Sequence, residues 1–217
     1  MKQSISVVII ALVAGSAACG ARSVVAKRPT SKRVNADVTN MWAAEIQRVA
    51  QDGDWILLRS YAFVGDGIAA VTRGEDVSHS AVYDAKRGTI IEGVSPIVRE
   101  VPLRKVLHTS RLAIVVRPNL SAKERKKALV RARSTVGAKY DWGGLVGLDD
   151  PDKFYCSELL FWAGRFEEKG HARPLVVSPA ALINLGEVLY YSGPRDDDRI
   201  QHVARTRANK RRRVVRR

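Results

Sequence analysis

The sequence predicts an α+β fold in which a small antiparallel sheet packs against helices. Two alternating segments, VSHSAVYD and TIIEGVS, flank the short turn AKRG and predict a β-hairpin. WILLRSYAF and RLAIVVRP are short apolar runs typical of buried strands. Several other segments repeat apolar residues at helical spacing. Strands and helices therefore coexist in one domain of ordinary size.

The predicted helices follow from local signals. Trp42, Ile46 and Val49 lie on one face of a helix over residues 38–51. Ser121 and Glu124 form a capping box that opens a second helix reaching about residue 136. A third helix begins near FYCSELLFWA, a fourth covers residues 178–185, and VLYYSG is a last strand. The glycine-rich residues 64–76 are predicted to form a loop.

Residues 1–19 have the features of an export signal, with Lys2, the apolar run ISVVIIALVAG and the small residues SAA before Cys19. The end of this segment resembles a bacterial lipoprotein box, which implies lipidation of Cys19. Lipid anchoring, ordinary secretion and an uncleaved anchor remain open. A lipid on Cys19 would hold an exported protein to a membrane of the bacterial cell envelope, in the periplasm or at the outer membrane.

The charge of the chain is concentrated at its end. The formal net charge is +15, and eight basic residues with no acidic one lie in RTRANKRRRVVRR. We therefore predict a flexible tether over residues 20–37, a folded domain over 38–192 and a basic, disordered tail over 193–217. An anionic envelope surface is the partner expected for this tail, with no specific nucleic acid.

Cys156 is the one cysteine outside the predicted signal. It lies where a loop rich in Gly, Asp and Pro gives way to helical spacing, so its thiol would lie in the first turn of a helix. The helix dipole favours the thiolate there. The alternative is a small buried apolar residue, because free cysteine is often buried.

His79 is the one histidine of four that lies within a strong predicted element. The four-residue turn of the hairpin places His79 and Glu92 on the same face of the sheet, directly or diagonally opposed. An imidazole can take the proton of a thiol, and a carboxylate can orient that imidazole. Cys156, His79 and Glu92 are therefore the candidate catalytic residues.

The segments GDWILLRS, DVSHSAVYD, IIEGV, GAKYDWGGLVG, FYCSELLFWA and SPAAL resemble circularly permuted papain-like thiol hydrolases of the NlpC-type superfamily, and among these the YiiX-like branch. The resemblance covers roughly residues 53–185. It implies a papain-like fold with the nucleophile at a helix N-terminus. It also implies that Cys156 is the nucleophile, His79 the general base and Glu92 the residue that orients His79.

Other residues near these segments have weaker signals. Tyr140 and Trp142 are expected to line a substrate cleft, while the backbone N–H of Cys156 is the better oxyanion donor. Glu158 is expected to point away and hold a basic residue. Asp54 and Asp84 are expected to cap turns. The sequence contains no metal-ligand spacing and no phosphate loop, so we expect neither a metal nor a cofactor.

Two functions follow. The first is an exported cysteine hydrolase that cleaves an amide or ester, in a cell-wall peptide or an acyl lipid, through an acyl-enzyme on Cys156. The alternative is a non-catalytic envelope protein that holds anionic lipid, wall polymer or nucleic acid. Its binding surface would be the basic tail and the basic face of the capped helix, with Lys123, Arg125, Lys126, Arg131 and Arg133.

Overall fold

The computed structural model of the protein describes residues 31–61 and 76–215, with side chains described as far as residue 210. The predicted export signal, Cys19, the first part of the predicted tether and nearly all of the predicted glycine-rich loop lie outside these residues.

The described strands form one antiparallel sheet in the order β4-β3-β2-β1-β5-β6. Its strands are β1 (Trp55–Ser60), β2 (His79–Asp84), β3 (Thr89–Val94), β4 (Ile97–Pro102), β5 (Ser110–Pro118) and β6 (Gly186–Tyr191). The helices are α1 (Lys32–Val49), α2 (Leu103–His108), α3 (Ala122–Ser134), α4 (Cys156–Gly164) and α5 (Asp198–Val215), with short 3-10 turns at Gly144–Val146, Glu167–Lys169 and Ala180–Leu185. The predicted α+β class and the predicted hairpin are confirmed.

The sheet has a hydrophobic core on each face, and β1 divides its side chains between them. Trp55 and Leu57 belong to the core that α3 and α4 cover. Ile56 and Leu58 belong to the core that α1 covers, where Trp42 is fully buried. Alternation along a strand places neighbouring side chains on opposite faces, so a strand with two apolar faces must be covered on both.

The first helix begins earlier than predicted. Ser31 caps α1 by accepting a hydrogen bond from the backbone N–H of Val34, and the helix runs from Lys32. Val34 and Val38 are buried against the sheet. Residues 32–37 of the predicted tether are therefore helical, because Val34 extends the apolar face by one turn.

Within the predicted basic tail, Asp198–Val215 form a helix, α5, where the composition predicted disorder. Within α5, Ala204 is buried in the α1 core and Ile200 packs against it. Arg207 on the outer side pairs with Glu45 of α1 at 2.8 Å. Apolar residues one turn apart thus bind the helix to α1, and its described basic side chains, Arg199, Arg205, Arg207 and Lys210, are exposed.

Arg195 holds in place the segment that leads into α5. Its guanidinium is buried 4.4 Å from the ring centroid of Trp42 and donates to the carbonyl oxygens of Asn35, Leu107 and Ser110. A buried arginine with several acceptors of this kind ties distant segments together.

The sequence did not predict strand β4 or helix α2. The apolar residues of β4 that are buried, Val98 and Val101, are three positions apart and do not show the period of two that marks a strand. His108 is the last residue of α2.

The capping box of Ser121 and Glu124 is present, and α3 begins there as predicted. Its basic face is only partly solvent-facing. Arg125 is buried and pairs with Asp54, and Arg133 bonds Asp84. Both arginines are therefore neutralised within the fold.

Within the described residues, no helix is both long enough and apolar enough to cross a bilayer.

Candidate active site

The pairing of β2 with β3 stops before either strand ends. The ladder contains three residue pairs and finishes at Val82 and Ile91, although β2 begins at His79 and β3 continues to Val94. The beginning of α4 lies at this opening. A Cβ atom added to Gly93 would lie 3.0 Å from the carbonyl oxygen of Phe154 and 3.2 Å from the backbone nitrogen of Cys156. The absence of a side chain at Gly93 therefore lets the start of α4 approach β3.

His79 and Glu92 face each other near the same opening. Nε2 of His79 lies 2.7 Å from Oε2 of Glu92. The observed register pairs Val82 with Ile91, which makes His79 and Glu92 diagonal neighbours on one face. The same-face placement predicted from the hairpin is confirmed.

The second oxygen of Glu92 is bound by a residue that the sequence did not indicate. Nε of Arg99 donates to Oε1 of Glu92 at 2.9 Å, and β3 pairs Glu92 with Arg99 across the strands. Burial of Glu92 opposes its ionisation, but the hydrogen bonds from His79 and Arg99 outweigh burial and lower its pKa. Glu92 is therefore an anion with both oxygens occupied.

Cys156 is the first residue of α4, and only 4% of its surface is exposed. Burial raises the pKa of the thiol, while hydrogen bonds from the imidazole of His79 and the backbone of Ser80, together with the charge of His79, lower it. The net direction is downward, which favours the thiolate.

The imidazole responds in the opposite sense. Burial lowers the pKa of His79, but hydrogen bonds to Cys156 and Glu92 raise it to about 10. Since Nε2 is bonded to Glu92, Nδ1 is the ring nitrogen left for the sulphur of Cys156. Both shifts favour a thiolate paired with an imidazolium.

These three residues line one cleft of about 490 Å³. Tyr140 and Trp142 also line it, and their rings meet edge to face with centroids 4.9 Å apart. Trp142 is 58% exposed, and burial together with the neighbouring Cys156 raises the pKa of Tyr140, so its hydroxyl stays protonated. Both predicted cleft residues lie at the cleft, with Trp142 at its mouth.

One solved structure that resembles this fold is the metalloprotein YiiX from Escherichia coli O157:H7, of the family DUF1105. This chain is YiiX-like in fold. The TM-score is 0.55 at 21% sequence identity, and the match covers 66% of this chain and 98% of YiiX. No family profile matches the sequence, and no curated protein matches it either.

Three carboxylates outside the Cys156 cleft form the one group of potential metal ligands in the described residues. Oxygens of Asp141, Asp149 and Glu158 lie within 4.8 Å of one another. The guanidinium of Arg173 already donates to Glu158 at 2.5 Å and to both oxygens of Asp149. Because a cation of the protein bonds two of the three carboxylates, these residues do not fit a metal ion.

Glu158 has a structural role in this cluster. Its Oε2 accepts from the backbone N–H of Tyr155 at 3.1 Å, directly before Cys156. Burial and a hydrogen bond with Asp149 raise the pKa of Glu158 to about 8. Glu158 therefore holds a basic residue, as predicted, and also caps the helix that carries the cysteine.

The segment after Arg173 is tied to the same helix. The hydroxyl of Tyr155 accepts from the backbone N–H of Val177 at 2.8 Å, and the hydroxyl of Ser157 donates to the carbonyl of Val177 at 2.7 Å. The residues directly before and after Cys156 thus both bond the backbone of Val177.

Asp54 and Asp84 are occupied elsewhere. Asp54 accepts from the backbone N–H of Gln51, and Asp84 accepts from that of Arg87. Both have the turn-capping role that the sequence predicted. The sequence did not indicate a role for Arg99 or Arg173. Arg99 lies opposite Glu92, but on a strand whose sequence lacks the period of two that marks a strand.

Proposed function

We propose that this protein is a cysteine hydrolase that cleaves an ester or amide through an acyl-enzyme on Cys156. The observation that carries this proposal is that Cys156, His79 and Glu92 line one cleft, with His79 and Glu92 hydrogen-bonded. The YiiX-like fold supports a relationship to permuted papain-like hydrolases of the NlpC type.

In the first step, the Cys156 thiolate attacks the carbonyl carbon, and the electron pair of the C=O bond moves to oxygen. The backbone N–H of Cys156, at the start of α4, is placed to stabilise that oxyanion. When the carbonyl re-forms, the bond to the leaving group breaks, and the leaving group takes the proton from Nδ1 of His79.

In the second step, water attacks the thioester and gives a proton to His79. The C–S bond then breaks, so the acid is released and the thiolate with imidazolium is restored. Glu92 stays ionised throughout and stabilises the imidazolium by its bond to Nε2.

YiiX is described as a metalloprotein. We assign no metal to the reaction of this chain, because Arg173 bonds two members of its carboxylate cluster.

The proposal includes export. The predicted signal over residues 1–19 would direct the chain to the bacterial cell envelope, and a lipid on Cys19 would anchor it there. The basic outer side of α5 would then face anionic surfaces of the envelope.

The test measures alkylation of the full chain by iodoacetamide at neutral pH together with hydrolysis of 4-nitrophenyl acetate. We expect labelling at Cys156, a burst of 4-nitrophenol, and loss of both in Cys156→Ser. His79→Ala should slow labelling strongly, whereas His202→Ala, an exposed histidine of α5, should not. Slow labelling that is insensitive to His79→Ala would contradict the proposal.

The alternative is an envelope-binding protein without catalysis. The exposed basic residues of α5 favour it, but burial of Arg125 and pairing of Arg133 remove part of the basic surface on α3. Deletion of residues 205–217 distinguishes the two. If that deletion abolishes function in cells while Cys156→Ser leaves it intact, the binding protein is the correct assignment.

A further inference from the structure

The side chains that line the Cys156 cleft include more basic groups than acidic ones. Among the described lining residues, Glu92 is the one carboxylate, and both of its oxygens are taken by His79 and Arg99. No acidic side chain of that lining is left to repel an anion.

Lys105 of α2 also lines the cleft, and its side chain is exposed. Throughout the described ranges 31–61 and 76–210, no carboxylate forms an ion pair with Lys105. The nearest acidic residue in the lining, Glu92, is already neutralised. Lys105 therefore contributes a net positive charge to the cleft.

Much of the remaining lining is apolar, from Leu58, Val94, Val106 and the rings of Tyr140 and Trp142. The serine and threonine residues of the lining are Ser60, Ser78, Ser95, Thr109 and Ser110. Trp142 also lines a second, open groove beside the cleft, together with Ile97 and Leu148, which are 40% and 72% exposed. An apolar wall that continues out of a reactive cleft suits an acyl chain.

We propose that the substrate of the Cys156 site is an acyl ester with an apolar chain and an anionic group, and that Lys105 binds the anionic group. This inference rests on the proposed function. The apolar wall holds the chain, while Lys105 attracts the charge that this wall cannot bind. An acyl chain is favoured over a peptide because the exposed side chains of Trp142, Ile97 and Leu148 offer hydrocarbon surface and few hydrogen-bond partners for a peptide backbone.

The experiment compares esters whose acyl group is butyryl or butyryl extended by a terminal carboxylate. 4-Nitrophenyl butyrate is neutral, 3-butyryloxy-4-nitrobenzoate carries a carboxylate on the leaving group, and mono-4-nitrophenyl glutarate carries one on the acyl side. Each kcat/KM is divided by the rate of hydroxide-catalysed hydrolysis of the same ester. We expect one anionic ester to exceed the neutral ester by about threefold to fivefold at low salt. The preference should fall in high salt.

Lys105 variants locate the effect. Lys105→Gln should reduce the anionic-to-neutral ratio to about one, and Lys105→Glu should reverse it. Lys123→Gln, an exposed lysine of α3 outside the cleft lining, should leave the ratio as it is. Equal melting temperatures of the variants exclude a loss of folding.

The outcomes separate this inference from the proposed function. If no ester is hydrolysed, the hydrolase assignment fails. If the neutral ester is hydrolysed and the anionic-to-neutral ratio is the same in wild type and in both Lys105 variants, the hydrolase assignment stands and the anionic substrate is wrong. If peptide 4-nitroanilides with acidic residues are cleaved faster than every ester, the acyl-ester assignment is overturned.

Discussion

Oε2 of Glu92 lies 2.7 Å from Nε2 of His79, across two strands whose ladder has already ended. Arg99 holds the other oxygen of the same carboxylate. The imidazole is therefore oriented by an anion that is itself fixed on its far side.

Replacement of that anion should slow the reaction. Glu92→Gln keeps the shape of the side chain but removes the charge that stabilises the His79 imidazolium. We expect kcat/KM for 4-nitrophenyl esters to fall about 100-fold. Glu187→Gln, an exposed carboxylate on β6, is the matched control and should leave kcat/KM near the wild-type value. An unchanged rate for Glu92→Gln would show that His79 needs no orienting anion.

The pH dependence follows from the two shifted groups. The pKa of Cys156 is lowered from 9.0, so its alkylation should stay fast as the pH falls below the range where an ordinary thiol becomes protonated. The pKa of His79 is raised to about 10, so ester hydrolysis should decline as the pH rises through about 10 and the imidazolium loses its proton.

His79→Ala removes the group that favours the thiolate and leaves the burial that opposes it. The alkylation rate of His79→Ala should rise only at pH values above the range in which the rate of the wild type rises. Rates measured from pH 5 to 11 with iodoacetamide decide this, and coincident profiles of wild type and His79→Ala would contradict the ion pair.

Glu158 should make stability depend on pH. Its folded-state pKa is raised from 4.5 to about 8, so the folded chain binds this proton more tightly than the unfolded chain. The contribution is fully present below pH 4.5 and is lost as the pH rises through about 8. The free energy of unfolding should therefore fall between pH 5 and pH 8.5 by more in wild type than in Glu158→Gln, measured by urea denaturation. Asp149 has a lowered pKa, and its opposite effect lies at lower pH.

The contribution of Glu158 is the difference between wild type and Glu158→Gln in the pH dependence of the free energy of unfolding. Other titrating groups contribute equally to both proteins and cancel. Glu187→Gln should reproduce the wild-type slope. Parallel slopes for wild type and Glu158→Gln would mean that Glu158 holds no extra proton in the fold.

Gly93→Ala should displace the start of α4. The new Cβ atom would lie 3.0 Å from the oxygen of Phe154 and 3.2 Å from the nitrogen of Cys156, and backbone atoms cannot rotate away. We expect a loss of about 1–3 kcal/mol in the free energy of unfolding together with slower alkylation of Cys156. Full stability with unchanged alkylation would show that α4 has room at this contact.

Trp142→Ala should weaken binding of long acyl chains. Trp142 is exposed at the cleft mouth, so its removal should change the melting temperature little. KM should rise more for 4-nitrophenyl octanoate than for the acetate, because only the longer chain reaches this wall. Trp162→Ala, a partly exposed tryptophan of α4 outside the cleft lining, tests whether any tryptophan loss has the same effect. Equal changes in KM for both esters would place the acyl chain elsewhere.

Much of the fold could be read from short-range patterns. Alternation in VSHSAVYD and TIIEGVS set the hairpin and the shared face of His79 and Glu92, since side-chain direction in a strand has a fixed period. The capping box set the start of α3. The change from loop composition to helical spacing predicted Cys156 in the first turn of a helix, and α4 begins at Cys156.

The basic C-terminal segment shows the limit of such patterns. Its composition predicted disorder, but Ala204 and Ile200 bind α5 to α1, and Arg195 stacks on Trp42. Composition counts charges without regard to which face bears them, and the partner face lies far away in the chain.

By itself, then, the sequence determined the α+β class, the hairpin with His79 and Glu92 on one face, and the three residues proposed for catalysis. Only the tertiary structure decided that the β2–β3 ladder ends early, that α4 begins against Gly93, and that Arg99 and Lys105 lie at the same cleft. Local patterns report the direction of a side chain relative to its own backbone. The meeting of segments far apart in sequence depends on how the two cores pack, and no single segment encodes that packing.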